Sequence, residues 1–249
     1  MITTLYLVRH GETEGSDARR YKGSIDVPLS EKGIHQMKES SDFIRGYLES
    51  VSSSKYLSYL KDIHTISNAG PNSGPNAGAG ARKPEGTQSA SALQSFRTSR
   101  LEAVYTSNLS RAARSAKVIA EPYGLLSVET PDFRERNFGV WEGMSFTEIK
   151  EKYPQEFESW ASNPLKYSPV GGESTVEVKD RVLPSLNRIL GNHKGENIAV
   201  VAHGGVNRII LCHLLGIPLE NIFRIEQDYA AVNIIEFWEK YPVLKLLNG

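Results

Sequence analysis

Apolar positions in this chain follow two patterns. Short unbroken runs, such as "TLYLV" at 4–8 and "IAVVA" at 198–202, have the length and β-branched content of strands buried on both faces. "LEAVYTS" at 101–107, "AAVNIIEFW" at 230–238 and "PVLKLL" at 242–247 are further strand candidates. Between them, apolar residues recur at helical spacing. In "PLSEKGIHQMKESSDFIRGYLES", Ile34, Met37, Ile44 and Leu48 share one face, Ser41 fills a gap in the stripe, and Ser30 is placed as the N-cap. "NLSRAARSAKVIAEPYG" predicts a second helix, closed by Pro122 and Gly124. Ser145 with Glu148, and Ser174 with Glu177, have capping-box spacing and predict helix starts. Pro184 falls inside the latter helix, where a kink or break is expected. "VNRIILCHLLG" predicts a last helix, stopped by Gly216 and Pro218. Strands alternating with helices indicate an α/β three-layer sandwich with a mostly parallel central sheet flanked by helices.

One region breaks the pattern. From about 50 to 98 the chain is rich in Gly, Pro, Asn, Ser and Ala. Its core, roughly 65–95, has too few apolar groups to offset its ordering entropy and reads as a disordered or loosely held insertion of low complexity. "KYLSYLKDI" just before that core is a short helix candidate. The bland reading of the insertion is a surface loop without function. The expectation is one domain over 1–249, interrupted there.

Composition excludes more than it identifies. Of 249 residues, 39% are hydrophobic and 23% charged, with no net formal charge, so nothing draws the whole chain to nucleic acid or an acidic membrane. Cys212 is the single cysteine, which rules out an internal disulfide and fits a reducing compartment. No run approaches the roughly 18–20 apolar residues of a membrane span, and no signal peptide is visible. A cytoplasmic protein is expected. The six histidines have no metal-site spacing, and neither a P-loop nor a dinucleotide fingerprint is present, so neither metal nor cofactor is expected. Oligomeric state is not legible.

The chemistry sits at strand ends. In open α/β sheets, ligands bind beyond the carboxyl ends of the strands. Arg9 and His10 end the first strand, and Thr106 and Ser107 end the second, with Arg111 in the following helix. Ala202, His203, Gly204 and Gly205 end another strand and open a helix. Two imidazoles, two guanidiniums and free helix N-terminal amides in one crevice would attract a phosphate dianion. A neutral histidine can attack phosphorus if its other ring nitrogen donates a hydrogen bond, for which a carbonyl near Gly11 is available.

"VRHGET", "YKGSIDVPLSEKG", "VYTSNLSRAARSA", "FRERNFGVWEG", "GGES" and "VVAHGG" together resemble the histidine phosphatase (phosphoglycerate-mutase-like) superfamily, over the whole chain apart from the insertion. The resemblance implies His10 as nucleophile, Arg9 and Arg111 as phosphoryl clamps, and His203 as the second pocket histidine. It implies Glu135 as the general acid and then base, with a carboxyl pKa raised beside phosphate. A structural salt bridge, with Arg134 and Arg136 close by, is the other reading of Glu135. Ser16 stands where many members carry Asn, and Lys22 where Gln is frequent. Both, with Gly204, are expected to bind substrate. Cys212 and His213 read as core residues, while His35, His64 and His193 have no partner pattern. The tyrosine- and proline-rich block of the mutases is not found. The implied activity is a metal-independent phosphomonoester hydrolase acting on a small phosphometabolite, with the nearest likeness to alpha-ribazole phosphatases. A phosphoglycerate mutase, a fructose-2,6-bisphosphatase-like enzyme and a non-catalytic phosphometabolite-binding protein are the alternatives.

Overall fold

A computed structural model describes residues 2–16, 20–52, 99–238 and 241–249. The low-complexity core at 65–95 and the short helix expected before it lie outside the described residues.

Six strands form one sheet: β1 (Ile2–Arg9), β2 (Ala103–Thr106), β3 (Ser127–Glu129), β4 (Asn197–Ala202), β5 (Val232–Trp238) and β6 (Tyr241–Leu246). Their spatial order is β3-β2-β4-β1-β5-β6. β3, β2, β4 and β1 run parallel, and β5 and β6 are antiparallel to their neighbours. The helices are α1 (Glu31–Ser52), α2 (Ser110–Ala120), α3 (Phe146–Lys152), α4 (Pro154–Ser162), α5 (Thr175–Asn192) and α6 (Gly204–Leu215).

Strand side chains alternate between two layers. Leu5, Leu7, Ile198 and Val200 pack with Val178, Val182 and Leu186 of α5 and with Ile209 and Ile210 of α6. Tyr6, Val8, Ala199 and Val201 face the other way, onto Met37, Ile44 and Leu48 of α1 and Ala116 and Ile119 of α2. β1 and β4 are therefore apolar on both faces, and this explains their unbroken runs. Each such Leu, Ile or Val contributes roughly 1.5–3 kcal/mol by leaving water. The structure is the three-layer sandwich expected.

Local signals place the helix starts. The Ser30 hydroxyl accepts from Gly33 N at 3.0 Å at the start of α1. Ser145–Glu148 and Ser174–Glu177 form both reciprocal bonds of a capping box. α4 and β3 were not legible in the sequence: α4 buries none of its residues, and β3 has only three. Of the kink or break expected at Pro184, the break is corrected, because α5 runs through it from Thr175 to Asn192. Pro184 and Asp180 are both exposed, so the hydrogen bond lost between them lies on the solvent side of the helix. The opposite face, with Val178, Val182 and Leu186, holds the helix to the sheet.

Candidate active site

Three neighbouring parallel strands end on one edge of the sheet. Arg9 of β1 lies opposite Ala202 of β4, and Thr106 of β2 lies opposite Val201. The residues that follow are His10, His203 and Ser107. His10 N donates to Ala202 O at 3.0 Å, so the two histidine-bearing ends are bonded directly. Their rings sit edge to face with centroids 5.0 Å apart.

Gly11 makes the turn possible. A Cβ there would lie 2.3 Å from Gly33 O in the first turn of α1. The crossing turns the Gly11 carbonyl back to the ring, 2.7 Å from His10 Nδ1. With Nδ1 donating to that carbonyl, the Nε2 lone pair is left free. Burial pushes the His10 pKa well below its usual range, and Arg111 and Arg9 push it further. The pKa of His203 is also well below its usual range, through burial and then through His10, Arg111 and Arg9. His203 Nε2 lies 2.8 Å from the Ser107 hydroxyl, and its buried Nδ1 has no protein partner.

The guanidiniums are braced by main-chain carbonyls. Arg111 donates to Ile25 O at 2.7 Å and to Gly23 O at 2.6 Å. Arg9 donates to Gln227 O at 2.5 Å, and the Tyr229 ring lies 4.0 Å from its guanidinium carbon. Burial lowers the pKa of both arginines, yet a guanidinium stays charged at any ordinary pH.

Glu135 reaches the same cavity. Its carboxylate accepts from Gly205 N at 3.0 Å, at the start of α6, and from Arg136 N at 2.9 Å. Gly205 permits this approach, since a Cβ there would lie 2.5 Å from Glu135 Oε1. The alternative salt bridge is not formed among the described residues. Arg136 instead donates to Glu173 O, Thr175 Oγ1 and Tyr167 O. Glu142 accepts from Ser24 and from Phe138 N.

The cavity has a volume of about 310 Å³ and is lined by Arg9, His10, Lys22, Arg111, Glu135 and Gly204, among others. His203 is fully buried and is not among the lining residues; its ring lies behind the cavity wall, its centroid 5.0 Å from that of His10. Ser16 is not among the lining residues; Thr13 and Lys22 hold that rim. Lys22 Nζ donates to Thr13 Oγ1 at 2.7 Å and to Glu14 O. The outer wall is aromatic: Tyr21, Phe138, Phe146, Phe157 and Trp160. Phe146, Phe157 and Trp160 contact one another, with centroids 4.9–6.0 Å apart. Sequence reasoning missed Tyr229 and these cap aromatics, which lie in loops and short helices with no readable periodicity. Ser107 was legible as a strand end but not as a partner of His203. A buried imidazole pair, two braced guanidiniums and a carboxyl form a pocket suited to a phosphoryl group and to proton transfer beside it.

The model of the histidine phosphatase superfamily (branch 1) matches residues 5–61 and 83–249. Phosphoserine phosphatase 1 of Hydrogenobacter thermophilus is 28% identical over 247 residues, 99% of this chain and 92% of that protein. The adenosylcobalamin/alpha-ribazole phosphatase of Salmonella typhimurium is 23% identical over 245 residues, 98% of this chain and 96% of that protein. The crystal structure of the alpha-ribazole phosphatase from Shigella flexneri superposes with a TM-score of 0.71 at 21% identity, covering 99% of this chain and 96% of that one.

Proposed function

The chain belongs to the histidine phosphatase superfamily and is a phosphatase, and from that premise we propose a metal-independent phosphomonoester hydrolase working through a phosphohistidine. The observation that carries this reading is the 2.7 Å contact of His10 Nδ1 with the Gly11 carbonyl in a buried, cation-lined pocket. The contact fixes the tautomer, leaving Nε2 as the nucleophile, while burial and the two arginines hold the ring neutral.

In the first step the Nε2 lone pair attacks phosphorus and the bond to the leaving oxygen breaks. Glu135 gives that oxygen its proton. Arg9, Arg111, the Gly204 amide and His203, through its free Nδ1, bear the charge on the phosphoryl oxygens. In the second step Glu135, now a carboxylate, takes a proton from water. The water oxygen attacks phosphorus, the P–N bond breaks, and neutral His10 returns. Lys22 adds a cation at the rim.

The proposed leaving group is an alcohol carrying a flat apolar ring, with alpha-ribazole, released from its 5'-phosphate, as the best single candidate. The aromatic outer wall supports this. Glu135 is the one carboxylate among the described lining residues, so an ammonium group on the substrate would meet no acid of its own. Phosphoserine is the second reading, favoured by the Hydrogenobacter relative that matches nearly the whole chain. The alpha-ribazole reading would place the enzyme in the late steps of cobalamin assembly.

Rapid-quench mixing with p-nitrophenyl phosphate in EDTA tests the mechanism. An acid-labile, base-stable phosphoenzyme is expected, absent in His10→Ala. Full turnover by that variant would sink the phosphohistidine. For the substrate, kcat/KM is compared between alpha-ribazole 5'-phosphate and phosphoserine. A tenfold preference for phosphoserine would reverse the assignment.

A further inference from the structure

Behind Arg9 lies a group of side-chain amides that the mechanism does not use. Asn233, on β5, is fully buried, and Gln227 nearly so. Each amide pairs with the other: Gln227 Nε2 donates to Asn233 Oδ1, and Asn233 Nδ2 donates to Gln227 Oε1, both at 2.9 Å. Asn233 Nδ2 also donates to Leu7 O at 2.9 Å, and its Oδ1 accepts from Asn248 N at 3.0 Å. Gln227 Nε2 also donates to Glu226 O at 2.8 Å, and its Oε1 accepts from Asn207 Nδ2 at 3.4 Å. A primary amide has two donors and two acceptor sites, so both amides are fully used. One residue further on, Asp228 is clamped to Asn248 by two bonds of 2.7 and 2.8 Å.

This network fixes a loop that touches the proposed nucleophile, His10, and the clamp beside it, Arg9. The Gln227 carbonyl accepts from Arg9 Nη1, and the Tyr229 ring covers the face of the same guanidinium. Arg9 N donates to Ala231 O at 3.0 Å, and Ala230 N donates to His10 O at 3.1 Å. Ala230 has φ +63°, a left-handed conformation that costs a non-glycine residue energy and persists only where its surroundings impose it. An apolar pair of equal volume would fill the same space. It would not set the direction of the Gln227 carbonyl. A planar guanidinium, unlike an ammonium, needs its acceptors in its own plane.

We propose that the buried Gln227–Asn233 amide pair is the positioning device of Arg9, aiming its guanidinium at the phosphoryl group through the Gln227 carbonyl and the Tyr229 ring. The two residues do not touch substrate. They orient one that does, and in this the proposal rests on the phosphatase reading above.

Gln227→Met removes the amide and keeps the length and the main chain. Two quantities are measured: the phosphoenzyme burst with p-nitrophenyl phosphate, and the affinity for orthovanadate by calorimetry. Vanadate imitates the five-coordinate phosphorus, so it reads the clamp whether or not His10 becomes phosphorylated. Both should fall by about ten- to a hundredfold, the range for a misplaced clamp, while thermal unfolding stays cooperative. In an Arg9→Lys background the same substitution should change vanadate affinity less than about twofold, because a lysine has no plane to orient. Unchanged vanadate affinity in Gln227→Met, or equal losses in both backgrounds, would overturn the proposal and leave the pair as packing. If Gln227→Met does not fold, Asn248→Gly loosens the network from its partly exposed end, and glycine suits the φ of +54° there. It removes the two side-chain bonds to Asp228 and keeps the main-chain bond to Asn233, so it should lose about threefold in vanadate affinity, a fraction of what two ordinary hydrogen bonds are worth, again only with Arg9 present. No loss, or a loss independent of Arg9, would overturn the proposal equally. A wild type that binds vanadate but forms no phosphoenzyme would refute the functional reading alone.

Discussion

His10 and His203 carry imidazoles held neutral by burial and by two guanidiniums, and this has a cost that pH exposes. Both pKa values lie well below the 6.5 of an exposed histidine. Below that value the unfolded chain takes up two protons that the folded chain refuses, so stability is fullest above pH 6.5 and falls as pH drops. The slope should reach about 2.7 kcal/mol per pH unit for the pair. Glu148 and Glu177, held at about 2 mainly by their backbone caps, lose their contribution only at lower pH, below the ordinary carboxylate value of 4.5. Urea unfolding at pH 7.5, 6.5 and 5.5 checks this, and His203→Asn should remove about half the slope. A slope unaffected by that change would place the proton uptake elsewhere. The proposed role of Glu135 has its own test in Glu135→Gln. An alkyl phosphate needs a proton on its leaving oxygen, and p-nitrophenolate does not. The burst should fall by about 10²–10⁴-fold for the alkyl ester and much less for the nitrophenyl ester. Equal losses would remove Glu135 from the acid role. At this scale the sequence was informative wherever a residue type is forced, as with Gly11 under α1. It was silent on Tyr229, whose position depends on contacts made far along the chain.

Helices and strands were legible where one local cause dominates. β1 and β4 are buried on both faces, so their apolar runs are unambiguous, and both capping boxes announced helix starts. α4 failed the same reading because it is nine residues long and buries none of them, and its Phe157 and Trp160 face the cavity rather than the core. α5 shows a tertiary preference overriding a local one. Its proline was expected to kink or break it, but Asp180 and Pro184 both lie on the exposed side and the buried face stays whole. Pro184→Ala should therefore restore a hydrogen bond without disturbing any packed residue. Helix propensity favours alanine by about 3 kcal/mol, and the stiffer unfolded chain of the proline form gives back up to about 1. A net gain of roughly 2 kcal/mol in denaturant unfolding is expected, with the phosphoenzyme burst unchanged. Destabilisation would mean that α5 is shaped by Pro184 in a way its packing uses.

At the scale of the molecule, the described residues already contain both layers of core and every proposed reacting group. The family match pauses at 61 and resumes at 83, so the most divergent stretch lies inside the insertion. The fold and the phosphoryl pocket were readable because the chain repeats one device, a buried strand ending on a charged or polar group, three times on neighbouring strands. The leaving-group wall was not, because Phe146, Phe157 and Trp160 meet only through the arrangement of two short helices. Replacing 65–95 with a short polar linker should then separate two functions of the chain. Loop closure changes by only about 0.6 kcal/mol per doubling of length, so stability should be nearly unchanged. The p-nitrophenyl phosphate burst should also persist, since its groups all lie elsewhere. A variant that cannot fold would show that the insertion contributes packing. If hydrolysis of alpha-ribazole 5'-phosphate falls while the nitrophenyl burst holds, the insertion takes part in choosing the leaving group. The aromatic wall would then be only half of the specificity surface.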